Sequence, residues 1–148
     1  MTRALAASLV ALLVLGCGSF EAPAPTPGSM DDVIAELVLH GASVHNPVSG
    51  DAGCPSSQLH DNALRFDMAL GTQSVTREVY LLRWRRQSNF DAGAKPFEDC
   101  VGEYRALHPN VQVTTLDLYP WRAYGPSWSP QVGQVLSDAL AASGGGQP

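Results

Sequence analysis

The apolar positions of this chain recur with two periods, and the switches between them mark out its elements. Met30, Val33, Ile34, Leu37 and Val38 follow the i, i+3, i+4, i+7, i+8 spacing of one helical face. Ser29 precedes them in the N-cap position, Asp31 and Asp32 occupy the first turn, and Gly41 follows where the pattern stops. Ala42 to Val48 is short, partly β-branched and interrupted by Pro47, which suits a brief or edge strand. Residues 49–62, with Gly50, Gly53, Cys54 and Pro55, read as a loop. From Leu64 the period becomes two: Leu64, Phe66, Met68 and Leu70 alternate with Arg65, Asp67 and Ala69, as in a strand with one wet face. After a turn at 71–74, Val75 to Trp84 is the most strand-like run. It places Tyr80, Leu82 and Trp84 on one face and Val79, Leu81 and Arg83 on the other, and its hairpin partner is the strand before it.

A helical period returns at Ser88, carried by Phe90, Ala94, Phe97, Val101 and Tyr104. Pro96 interrupts it. A proline ring removes one helix hydrogen bond and clashes with the carbonyl four residues back, so the pattern predicts a kink near Ala92 or a short turn followed by a fresh helix at Pro96. Val111 to Leu118 forms a further strand after the Pro109-Asn110 turn. Ser129-Pro130 then opens a last helix to about Ala142, with Val132, Val135, Leu136 and Ala139 as its buried stripe. Consecutive strands favour antiparallel pairing, whereas the strand-helix-strand step from Val75 to Leu118 favours a parallel crossover. The expected fold class is therefore α+β: a two-layer sandwich with a mixed, mostly antiparallel sheet of about four strands and helices packed on it.

Composition adds an address. The chain has 148 residues, 45% of them hydrophobic and 16% charged, and part of the apolar share is concentrated at the start. Met1-Thr2-Arg3 leads into an apolar run from Ala4 to Leu15, of signal-peptide length and short of the roughly 20 residues that span a bilayer. The run ends in Val14-Leu15-Gly16-Cys17, which resembles the lipobox of bacterial lipoproteins, with Val14 and Leu15 where that family usually has Leu and a small residue. The resemblance implies that the Cys17 thiol takes a diacylglycerol and becomes the new N-terminus. The alternatives are ordinary cleavage after Ala22-Pro23-Ala24, with Pro25 beyond the scissile bond, and an uncleaved anchor. Residues 18–29 are rich in proline and would form an extended tether reaching roughly 35 Å at polyproline spacing. By resemblance to known sorting signals, Gly18 rather than Asp after Cys17 implies the outer membrane in a two-membrane cell; the number of membranes stays open. The expected organisation is a signal peptide at 1–16, lipidated Cys17 and tether at 17–29, one α+β domain at 30–143 outside the cytoplasm, and a disordered tail at 144–148.

With Cys17 assigned to the lipid, Cys54 and Cys100 remain as an even pair in an oxidising compartment, and a disulfide is expected. Closing that loop of about 47 residues is worth roughly 4 kcal/mol in the chain-entropy model. Free thiols, a thiolate nucleophile or a Cys/His metal site are the alternatives, but neither cysteine lies in a C-x-x-C motif. Beyond the leader, eight basic residues face fourteen acidic ones, a net charge of −6 that argues against a nucleic-acid partner. No G-x-S-x-G, S-x-x-K, H-E-x-x-H or phosphate loop occurs, so no catalytic residue, cofactor or metal is expected. His40, His45, His60 and His108 are scattered, and two of them suit helix C-termini electrostatically.

Two surfaces stand out. Arg83, Arg85 and Arg86 cluster at the end of the third strand, with Arg65 expected across from them on the same face. Such a cluster either holds an anionic head group or polymer, or is a solvated face balanced by Asp67 and Glu78. Residues 119–130 carry four aromatics and three prolines. Either Trp121, Tyr124 and Trp128 form a stiff binding platform, or the rings plug the end of the core. Trp121 lies three residues beyond the expected strand end and should point inward; Trp128, beside the helix cap, should be the exposed ring. The reading that follows is a non-catalytic, membrane-anchored module binding a protein or envelope component. A small-ligand or carbohydrate binder using 119–130, and an enzyme of unknown class, are the alternatives.

Overall fold

The computed structural model describes residues 28–72 and 75–144; Cys17, the leader, most of the tether and residues 145–148 lie outside them. α1 (Met30–Leu39) begins in a capping box: Ser29 Oγ accepts from the Asp32 N–H at 3.2 Å while Asp32 Oδ2 accepts from the Ser29 N–H at 2.6 Å. β1 (Ala42–Ser49) and β2 (Ala63–Leu70) follow, separated by a loop that contains one short helix, α2 (Ser57–His60). β3 (Arg77–Arg83) leads to α3 (Gln87–Ala92) and α4 (Ala94–Leu107). The break between these helices falls at Gly93, where a β-carbon would overlap the Trp84 indole, and Pro96 sits in the first turn of α4, where its missing N–H costs nothing. Then come β4 (Val113–Leu118), β5 (Trp121–Pro126) and α5 (Pro130–Ser143), the last capped by Ser129 Oγ.

The α+β class holds, with three differences from the expected architecture. The sheet has five strands in the order β1-β2-β3-β5-β4, and every neighbouring pair is antiparallel. β3 and β4 do run in the same direction, as a helical crossover requires, but β5 returns from the two-residue Tyr119-Pro120 turn and slots between them. The sequence presents that strand as an aromatic loop because it is buried on both faces, and a doubly buried strand shows no alternation of apolar and polar residues. Helices also cover both faces rather than one, giving three layers. On one face Leu64, Phe66, Met68, Val79, Leu81, Trp121 and Ala123 pack against Val33 and Leu37 of α1 and Val132, Leu136, Ala139 and Leu140 of α5. On the other, Tyr80, Leu82 and Tyr124 pack against Leu59, Phe90, Phe97, Val101 and Tyr104 from α2, α3 and α4. Edge strand β1 is mostly exposed and bulged between His45 and Val48, where Asn46 takes φ +51° beside Pro47.

Cys54 and Cys100 are joined in a disulfide, with a Cα separation of 5.4 Å. It ties the β1–β2 loop to the buried face of α4, and Gly53 next to it is held at φ +73° directly over the Tyr124 hydroxyl and Tyr80 ring, where a β-carbon would overlap both. No described helix is long and apolar enough to cross a membrane.

Candidate functional site

The aromatic residues singled out from sequence are interior. Trp121 and Tyr124 are fully buried, and Trp128 is 8% exposed with its Nε1–H donating to the Glu78 carbonyl at 3.0 Å. Trp121 therefore points inward as expected, whereas Trp128 corrects the expectation of an exposed ring. Gly125 explains why: with no β-carbon, it lets the Trp128 indole lie flat against β5. None of the three rings offers a platform to a ligand. The arginines are also divided. Register pairs Arg65 with Tyr80 and Ala63 with Leu82, so Arg65 and Arg83 lie on opposite faces of the sheet instead of together. Arg65 bonds Asp51 at 2.9 Å and approaches Glu78 at 3.5 Å, and Arg83 lies 5.7 Å from the centre of the Trp121 ring. Arg85 and Arg86 are exposed at that end of β3. The four histidines are not brought together, and no group of three or more His, Cys, Asp or Glu that suits a metal occurs among the described residues.

Beneath the disulfide, Tyr80, Tyr104 and Tyr124 stack into one cluster, with ring centres 4.8 Å apart for Tyr80 and Tyr124 and 5.5 Å for Tyr104 and Tyr124. The Tyr124 hydroxyl donates to the Ala52 carbonyl, and Tyr104 Oη donates to Glu78 Oε2 at 3.3 Å. Burial first, and then the Glu78 carboxylate, pushes the Tyr104 hydroxyl up to about 12, and burial pushes Tyr80 and Tyr124 further up. These are neutral, structural hydroxyls at physiological pH.

The open feature is a cleft of about 200 Å³ between α4 and β4, lined by Ala94, Phe97 and Val101 below and by Glu98, Arg105, Thr115 and Asp117 at the rim, with Arg122 at its inner end. Arg122 is only 3% exposed. Its Nε donates to Asp117 Oδ2 at 2.9 Å, its Nη1 donates to the Phe90 carbonyl at 2.7 Å, and its guanidinium lies 3.9 Å from the Phe90 ring centre. A buried guanidinium is tolerated only when its donors are filled in this way, so Arg122 ties β5 to β4 and α3 and sets the cleft's inner wall. Sequence reasoning missed Asp117 and Arg122. The signal was present, since they flank Tyr119-Pro120 symmetrically and become direct cross-strand neighbours once that dipeptide is recognised as a hairpin turn. A second depression, about 390 Å³ and mainly polar, lies between α2 and α4 over the disulfide.

The strand beside the cleft has an open edge, and register says which groups it exposes. The Trp84 N–H donates to the Pro120 carbonyl at 2.9 Å, and bonded pairs alternate along antiparallel strands. Arg122 and Tyr124 therefore direct their backbone groups to β3, and Trp121, Ala123 and Gly125 direct theirs to Leu118, Leu116 and Thr114 of β4. What remains is that Val113, Thr115 and Asp117 aim their N–H and C=O groups away from the sheet. Thr115 and Asp117 are the β4 residues whose side chains line the cleft. Neither a proline nor a bulge nor a lysine blunts this edge, in contrast to β1. No protein-family model, no curated protein and no solved structure matches the chain.

Proposed function

We propose that this chain is a non-catalytic module, anchored outside the cytoplasm by a lipid on Cys17, that holds an extended segment of a partner protein along the outer edge of β4. The observation that carries the reading is the juxtaposition of an unblunted strand edge and an apolar-floored cleft on one side of it. A strand added to such an edge gains main-chain hydrogen bonds from Val113, Thr115 and Asp117, and sends alternate side chains to the same face as theirs. One such side chain would enter the cleft over Phe97 and Val101. At about 200 Å³ the cleft is smaller than the roughly 300–1,000 Å³ of small-molecule sites, which favours a side chain over a free ligand. The anchor belongs to the same reading, because confinement to a membrane raises effective concentration and makes a short strand contact sufficient.

The test places a photoreactive residue at Thr115 of the full chain in living cells, with the same residue at exposed His45 of β1 as control. A protein adduct is expected at 115 and none at 45. Absence of any adduct at 115, or equal capture at both edges, would overturn the reading.

A further inference from the structure

We infer that the strand received by β4 is the β4 of a second copy of this chain, an inference that rests on the strand-capture reading above. An antiparallel β4–β4 pair related by a two-fold axis perpendicular to the sheet at Thr115 opposes Thr115 to itself and Val113 to Asp117, using only the outward-facing groups identified above. The axis keeps corresponding faces on the same side, so the two clefts merge and the two α4 helices run antiparallel across them.

The charges at the rim are arranged for that symmetry. Glu98 and Arg105 both line the cleft, are exposed, and make no ion pair with any described residue. They are seven positions apart, two helical turns or about 10.5 Å along α4, so they are too far apart to pair with one another. Antiparallel helices related by a two-fold at the midpoint of such a pair bring each Glu98 opposite the other copy's Arg105. The midpoint falls between Val101 and Gly102, and the sheet puts the axis at the same height. Thr115 pairs with Tyr124, whose ring lies between Phe97 at 5.9 Å and Tyr104 at 5.5 Å, bracketing that point of α4. Gly102 is exposed there with nothing within 4 Å of where a β-carbon would stand, so the helix is slimmest where the two copies come nearest.

Photo-crosslinking from position 115 of the full chain in cells decides the matter by adduct mass. An adduct of twice the chain's mass is expected. An adduct of another mass alone overturns the self-association and leaves the strand-capture reading standing; no adduct overturns both. Charge exchange gives a second, independent readout. Glu98→Arg alone and Arg105→Glu alone should each lower the yield of the twofold-mass adduct at least tenfold, and the Glu98→Arg, Arg105→Glu double variant should restore it to at least half. Unaffected single variants, or a double variant that stays low while its thermal melt matches the parent's, would overturn the inference.

Discussion

At the scale of single residues, the interior is held by aromatic rings fitted against glycines. Trp121 is fully buried, and Trp121→Ala should lose about 3–5 kcal/mol of stability, as truncation of buried aromatics does. Trp128→Ala should fall in the same range, and Trp128→Phe should lose about 1–3 kcal/mol by leaving the buried Glu78 carbonyl short of its donor. Denaturant melts of the three variants check this; near-parental stability of Trp128→Ala would mean that the ring is not seated as described. The tyrosine cluster makes a pH forecast with a definite sign. Folding favours the protonated form of Tyr80, Tyr104 and Tyr124, so their contribution is complete below the unfolded value of 10.0 and is lost as pH rises through that value towards about 12 for Tyr104. Absorbance of tyrosinate at 295 nm should rise for these three groups together with loss of the fold, and titration of all of them well before unfolding would contradict it.

At the scale of elements, the decisive one is β5, and the direction of each backbone group in its neighbour β4 can be tested by proline. Thr115→Pro removes an outward-facing N–H and should leave the melting midpoint within a few degrees of the parent. Leu116→Pro removes a donor to Ala123 inside the sheet and should cost about 1–3 kcal/mol for the orphaned carbonyl alone. Greater damage from Thr115→Pro than from Leu116→Pro would show that the assigned backbone directions are off by one. The disulfide is the other element-level staple. It closes a loop of 46 residue separations, and reduction, or Cys54→Ser with Cys100→Ser, should lower stability by about 4 kcal/mol. Because Ala52 and Gly53, beside Cys54 in the chain, hold Tyr124 and Tyr80 down, the same change should also raise the accessibility of the tyrosine cluster to solvent quenchers.

At the scale of the whole molecule, the described chain begins at Gly28, whose N–H donates to the Ser143 carbonyl at 2.9 Å beside the C-terminus of α5. Under the proposed anchoring, about eleven proline-rich residues at roughly 3.1 Å each would reach some 35 Å, enough for the β4 edge of one anchored copy to meet that of another. The anchoring itself has a direct check. Cys17→Ala should abolish both signal processing and acyl labelling in a bacterial host and shift the protein from the detergent phase to the aqueous phase; unchanged processing and labelling would remove the lipid from the proposal.

What the sequence determined by itself was whatever has a short-range signature. α1 and α5 were legible because each has a side-chain cap and a one-sided apolar stripe, β2 because period-two alternation survives where a strand has unequal faces, and β3 because Val75 to Trp84 is a strand-length run rich in β-branched and aromatic residues. The pairing of Cys54 with Cys100 was expected only once the resemblance of residues 14–17 to a lipobox set Cys17 aside, and the structure bears it out. Tertiary structure decided the rest. Strand β5 lies between two others and under helices on both sides, so burial there depends on neighbours distant in sequence, and nothing local distinguishes Trp121–Pro126 from an aromatic loop. The separation of Arg65 from Arg83 turned on a register of one residue, which reverses a side chain's face. The cleft, likewise, exists only because a hairpin turn at Tyr119-Pro120 sets β4 outermost and Arg122 under α3 and α4, an arrangement written in no single segment.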